Sequence, residues 1–219
     1  MVKSFRWPKD DDEVKEREAA GLWRAQALAK DIGEGKEKIT LAVILRIHKA
    51  FFENANPDIA GRFRKSGEDI KKLKYMTPPP GRAVQTRLYE FWRELDNRLS
   101  QVPTLPKGEG KKASKKQLAV RNEAVIDLAA WTQYQITAIH PFCEGNGRMA
   151  RLMTNLILYR FKFQPTDIKY QGENKVIYLE ALGAIDLHGD YRHLKQLIIK
   201  GIMNSYQRLA IVRKKAGSK

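Results

Sequence analysis

The run "HPFCEGNGRMAR", His140–Arg151, sets an imidazole, a carboxylate, a Gly-Asn-Gly turn and two guanidinium groups side by side. Gly145, Asn146 and Gly147 follow a polar loop and precede an apolar helical pattern. Successive backbone N–H groups there can converge on one concavity, and such a nest at a helix N-terminus favours anions. Arg148 and Arg151 stand three apart, on one helical face near that same end. Guanidinium forks take phosphate oxygens in pairs, and two of them beside a nest suit two successive phosphates better than one carboxylate. Glu144 would repel a polyphosphate unless a divalent cation lay between them, and Mg²⁺ held by a carboxylate and phosphate oxygens resolves that conflict. His140, with an unperturbed pKa of about 6.5, accepts a proton at neutral pH. Base, metal carboxylate and phosphate cradle together describe phosphoryl or nucleotidyl transfer to a hydroxyl. Each has a plainer explanation when taken singly: a helix-end histidine before proline, a common turn, arginines paired with surface carboxylates. Their coincidence in the most apolar part of the chain favours chemistry.

The elements that must position this run read as helices. "DDDEVKEREAAGLWRAQALAKDIG" opens with an acidic first turn and ends near Gly33. "ITLAVILRIHKAFFENA" follows, with Thr40 placed as N-cap. Val84, Leu88, Phe91, Trp92, Leu95 and Leu99 recur at helical spacing and predict one core-facing stripe. Glu123–Ile139 is apolar nearly all round, which marks the most buried helix, and "MARLMTNLILYRF" resumes a buried pattern after the motif. "VIYLEALGAIDL" and "YRHLKQLIIKGIMNSYQRLAIV" complete the set. Gly61–Gly81 breaks the rhythm with Ser-Gly at its middle and a triple proline at its end, which predicts a short projecting hairpin. The Lys-rich stretch 103–116 reads as a disordered loop. The expectation is an all-α helical bundle: an N-terminal helical segment over 1–36, a catalytic domain over 37–205 and a basic tail over 206–219.

Composition narrows the setting. The 41 Lys and Arg against 25 Asp and Glu give a formal charge of +16, which attracts polyanions without identifying one. A single cysteine, Cys143, excludes an intramolecular disulfide and a thiolate zinc cluster, and suits a reducing, cytoplasmic location. The N-terminus has no signal-peptide pattern, no stretch suits a membrane span, and no membrane partner is expected. A basic nucleic-acid-binding or adaptor protein is the competing class, although no helix-turn-helix or RNA-binding signature occurs.

His140–Arg151 matches every specified position of the Fic-family signature, HPFx(D/E)GNGRxxR, and the chain resembles that family on those residues. "AGRFRKSGEDIKKLKYMTPPP" resembles its flap, and "VIYLEALGAIDLHGDYRHL" its downstream helices. The resemblance implies the Fic fold, a helical bundle with a short β-hairpin flap, and transfer of AMP from ATP to a Ser, Thr or Tyr hydroxyl of a target protein. It implies His140 as general base and Glu144 as holder of Mg²⁺ (or Mn²⁺) on the α- and β-phosphates, with pyrophosphate leaving. Gly145, Asn146 and Gly147 would form the anion loop, Asn146 also reaching the α-phosphate, while Arg148 holds the β-phosphate and Arg151 the γ-phosphate. Phe142 would anchor the loop in the core, and Tyr178 resembles a family tyrosine near the adenine. The flap edge, Arg64, Lys65, Ser66, Gly67, Glu68, Asp69, Ile70 and Lys71, would pair with an extended target segment.

Many relatives carry an inhibitory pattern, (S/T)xxxE(G/N), whose glutamate pairs with the second motif arginine. The nearest stretch here is "KDIGEG", with Glu34 before Gly35 and Lys30 in place of Ser or Thr; a helix-terminal glycine explains it more simply. A separate inhibitory protein is the other source of restraint. Within the family, where relatives also move other phosphate-containing groups or remove AMP, the intact GNGR favours AMP transfer over phosphoryl transfer, and removal of AMP relies on an inhibitory-type glutamate. Target, oligomeric state and secretion as an effector leave no readable mark.

Overall fold

The computed structural model describes residues 5–70, 73–106 and 112–216. Its first helix, α1 (Asp11–Glu34), starts where the Asp10 carboxylate accepts from the Asp12 and Glu13 amides. Three acidic residues then face the positive end of the helix dipole. In α2 (Leu41–Phe52) the Thr40 hydroxyl accepts from the Val43 amide at 3.3 Å, the N-cap its position predicts. A short 3₁₀ turn, Gly81–Ala83, leads into α3 (Val84–Gln101), whose Val84, Leu88, Phe91 and Leu95 are buried as one stripe. The remaining helices are α4 (Lys115–Ile139), α5 (Asn146–Arg160), α6 (Gly172–His188) and α7 (Arg192–Ala216).

The all-α expectation holds. α4 and α5 form the central pair; α1 covers α5 and α2, α3 and α7 flank α4, and α6 packs on α7. Ile136, Phe142, Met149, Met153 and Leu156 are fully buried where α4 meets the motif and α5, and each such side chain contributes about 1.5–3 kcal/mol of transfer free energy. A boundary at residue 206 falls inside α7, which runs on as one helix to Ala216.

Two local expectations are corrected. α4 begins at Lys115, inside the stretch expected to be loop, because Ser114 and Gln117 form a reciprocal capping box that satisfies two amides. The projecting hairpin is not seen as paired strands: no strand occurs among the described residues, and Arg62–Ile70 is an irregular loop with a turn at Ser66 and Gly67. Its polar groups bond to their own neighbours and to the motif, where a ladder would have paired them with another strand. Lys71 and the Lys-rich residues 107–111 lie outside the described residues.

Candidate active site

The motif joins the C-terminus of α4 to the N-terminus of α5. His140 is the C-cap of α4, in the left-handed region at φ 51°. Its Nδ1 lies 3.1 Å from the Thr137 carbonyl, and a carbonyl only accepts, so Nδ1 carries the proton. Nε2 is therefore the nitrogen with a free lone pair. Burial holds the His140 pKa below the ordinary imidazole value, with the Arg64 charge adding to that and the Thr137 bond and Glu144 opposing it.

Arg64 is 1% exposed, one of the largest fully buried side chains. Its guanidinium donates to His140 O at 2.6 Å, Ile139 O at 3.2 Å, Pro79 O at 2.6 Å and Glu68 O at 3.3 Å. Its own amide donates to Pro141 O at 2.9 Å. A cation thus closes the negative end of α4, where carbonyls lack helical partners. This corrects the placement of Arg64 on an exposed edge: the side chain points inward. Glu68 is engaged with the Arg62 guanidinium and the Lys65 amide, and Asp69 accepts from the Gly81 amide at 2.6 Å. Lys65, Ser66 and Gly67 remain as the exposed turn, and Ile70 is half-buried.

Two groups fasten the loop from below. Phe142 is fully buried, its ring stacked on His48 at 3.8 Å and 2°. The buried imidazole of His48 accepts from the Gly61 amide at Nδ1, so Nε2–H donates to Glu144 O, at 3.2 Å. Burial pushes its pKa down to about 4, and it is neutral. Asn146 is buried; its Oδ1 accepts from Phe142 N at 2.9 Å and its Nδ2 donates to Phe142 O at 2.8 Å. That staple engages Oδ1 and one of the two Nδ2–H groups, while the backbone of Asn146 forms the first residue of α5.

Gly145 is the N-cap of α5 at φ 80°, and no side chain caps the helix. A Cβ there would lie 2.5 Å from the Phe52 ring, so glycine is needed for space as well as conformation. The first amides of α5 are left facing outward, with the positive end of the dipole behind them. Arg148 donates to Glu18 Oε2 at 2.5 Å, lies 3.6 Å from Glu144 Oε1, and rests over the Phe51 and Phe52 rings at 4.5 and 5.4 Å. Arg151 lies over the Tyr170 ring at 5.2 Å, and its NH1 is buried with no hydrogen-bond partner among the described residues. An orphaned guanidinium N–H beside an uncapped helix end fits a phosphate oxygen. The side chain of Glu144 is 61% exposed on the lip, and a cavity of about 470 Å³ beside it is lined by Glu18, Phe52 and residues 7–11.

No cluster of three or more His, Cys, Asp or Glu that could hold a metal occurs among the described residues. A single exposed carboxylate suits Mg²⁺, which keeps several waters and is held through one carboxylate and substrate phosphates. Burial raises the Cys143 thiol pKa, the opposite of an activated nucleophile.

Two expected residues are elsewhere. Tyr178 is 2% exposed; its hydroxyl accepts from Gln133 Nε2 at 3.1 Å, and Gln133 Oε1 accepts from the Thr154 hydroxyl at 2.8 Å. It belongs to a core network, and the aromatic ring that lies under Arg151 is that of Tyr170. Glu34 ends α1, where its carbonyl accepts from Lys162 at 3.2 Å and Gly33 packs on Tyr159. Glu18 meets Arg148 at the other end, so α1 runs parallel to α5 and Glu34 lies about 12 Å along the helix from Arg151. Sequence reasoning missed His48, Glu18 and the inward role of Arg64; only the helical phase of His48 marked it as a core position.

The Fic/DOC family model matches residues 38–158. The chain belongs to the Fic/DOC family. It is 31% identical over 156 residues to protein adenylyltransferase Fic of Nematostella vectensis, covering 71% of this chain and 30% of that protein. It is 28% identical over 174 residues to protein adenylyltransferase fic-1 of Caenorhabditis elegans, covering 78% of this chain and 29% of that protein. The chain thus spans under a third of the length of these relatives. In structure it matches C. elegans Fic-1 (residues 134–508 of that protein) with a TM-score of 0.67 at 25% identity, over 98% of this chain and 57% of the other. The fold also matches Bartonella tribocorum BepC solved with bound AMPPNP, with a TM-score of 0.57 at 17% identity, over 92% and 94% of the two chains. Among the described residues, no helix is long and apolar enough to cross a membrane.

Proposed function

We propose that this chain is a protein adenylyltransferase that moves AMP from ATP to a hydroxyl of a target protein. The observation that carries the proposal is the meeting of an unprotonated His140 Nε2 with an uncapped α5 N-terminus and the orphaned Arg151 NH1. The hydroxyl oxygen of the target attacks the α-phosphorus while its proton passes to His140 Nε2. The bond from the α-phosphorus to the bridging oxygen breaks, and pyrophosphate leaves with that electron pair. The α5 amides stabilise charge on the phosphates, and Arg148 and Arg151 hold the β- and γ-phosphates. Mg²⁺ or Mn²⁺, held by Glu144 and phosphate oxygens, supplies charge neutralisation across the triphosphate when bound.

The exposed turn Lys65–Gly67 is tied to the motif through the Arg64 amide and Pro141, so a target segment resting on it lies beside the base. A reducing, cytoplasmic setting goes with the free Cys143. Glu34 is remote from Arg151, so any restraint on the γ-phosphate position comes from another protein or another segment.

Incubation of the protein with α-labelled ATP, Mg²⁺ and a cell lysate tests the proposal, with His140→Ala as control. Label on protein, including self-modification, is expected for the native chain and not for the variant. Absence of labelled protein with either Mg²⁺ or Mn²⁺, or labelling that survives His140→Ala, overturns it.

A further inference from the structure

We infer that Glu18 is a positioning residue for Arg148: it holds the guanidinium in the orientation that receives a nucleoside triphosphate. The inference rests on the adenylyltransferase proposal and adds to it a residue outside the motif.

Arg148 is boxed on two sides. The rings of Phe51 and Phe52 lie against its guanidinium and set its plane. Within that plane Glu18 Oε2 engages NH1 at 2.5 Å. The pair is partly shielded, with side chains 28% and 23% exposed, which makes it stronger than an exposed ion pair. NH2 lies 3.6 Å from Glu144, beyond hydrogen-bond length, so a donor remains on the edge nearer the loop.

The scaffold fixes Glu18 as firmly as it fixes Arg148. Glu18 sits on α1 one turn before Gly21, where α1 approaches α2 so closely that a Cβ would lie 1.8 Å from the Phe51 carbonyl oxygen. That contact brings the carboxylate to Arg148 and the Phe51 ring beneath it. A long, flexible arginine that is already ordered loses less side-chain entropy when a phosphate arrives. Glu18 also offsets one arginine charge beside Glu144. A glutamate that instead competed with phosphate for Arg148 would have the opposite effect on nucleotide affinity, which makes the sign of the response decisive.

The test compares Glu18→Ala, Glu18→Gln, Arg148→Ala and the Glu18→Ala/Arg148→Ala double variant. Read-outs are kcat and KM for ATP in the labelling reaction, and equilibrium binding of a non-hydrolysable ATP analogue with Mg²⁺. Glu18→Ala is expected to weaken analogue binding and raise KM for ATP by about tenfold, with a smaller change in kcat. Glu18→Gln, which retains an acceptor oxygen, is expected to recover part of the loss. In the Arg148→Ala background Glu18→Ala is expected to add nothing. Tighter binding or faster labelling in Glu18→Ala, or full additivity in the double variant, overturns the inference. Circular dichroism and thermal melting of each variant separate loss of fold from loss of site. Failure of the native protein to label any protein would count against the adenylyltransferase proposal; the analogue-binding measurements would still decide the role of Glu18.

Discussion

Arg64 and His140 are joined through the backbone: the guanidinium Nε of one donates to the main-chain oxygen of the other at 2.6 Å, and the imidazole takes no part in that bond. The cation therefore fixes where the base stands without sharing the base's proton. It also lies close enough to disfavour the imidazolium.

The first prediction is an acid limb displaced downward. The folded pKa of His140 lies below 6.5, so the neutral base persists at pH values where a free imidazole is already protonated. The pH profile of kcat/KM should retain activity below about pH 6.5 and fall only as pH drops through the lowered value. Removing the Arg64 charge in Arg64→Gln should move that limb upward, towards the ordinary imidazole value.

Arg64 also carries structural weight. Arg64→Ala leaves the carbonyls of Ile139, His140 and Pro79 without their donor in a buried site. A loss of about 3 kcal/mol in chemical-denaturation stability is expected. Arg64→Lys, a compact cation without the fork, should recover only part of it.

His48 makes stability depend on pH. Its unfolded pKa is near 6.5 and its folded value about 4. Between these values the unfolded chain takes up a proton that the folded chain refuses. Stability is therefore fully present above about pH 6.5, declines as pH falls, and levels off below about 4, a span of roughly 3 kcal/mol. Denaturation of a His48→Gln variant across pH 4–7 should show a correspondingly flatter profile.

Gly145→Ala should fail twice over. A side chain at φ 80° is strained, and its Cβ would press on Phe52. A loss of about 3 kcal/mol is expected, together with loss of binding to an ATP analogue.

Glu34 supplies a contrast. Glu34→Gly alters the far end of α1, beside Lys162 and Tyr159, so self-labelling should stay within about twofold of the native protein. A large rise would restore the idea that this glutamate restrains the site.

What was legible in the sequence was local. The motif is contiguous, the Thr40 cap is a one-residue signal, and α3 shows its stripe by spacing alone. The start of α4 was legible too, as a Ser114–Gln117 capping box, but the lysines around it suggested a solvated loop. The contacts that went unnoticed act across long separations: Glu18 on Arg148, His48 on Glu144, Arg64 on His140. Nothing in a stretch of α1 says whether it runs parallel or antiparallel to α5, and that direction alone decides whether Glu18 or Glu34 reaches the motif. Tyr178 was misplaced because an aromatic on an apolar stripe looks the same whether it lines a pocket or closes a core.

The buried triad Tyr178–Gln133–Thr154 bears on the site from inside. It ties α6, α4 and α5 by hydrogen bonds that cannot be exchanged for water. Sliding α5 along α4 by a turn would break the Thr154–Gln133 bond, and sliding α6 would break the Gln133–Tyr178 bond. The gap between His140, at the end of one helix, and Arg151, within the next, is therefore gauged by polar atoms that lie outside the motif. Shortening or lengthening the Gln133 or Thr154 arm would recalibrate the reach from His140 to Arg151 while leaving every residue of the motif in place.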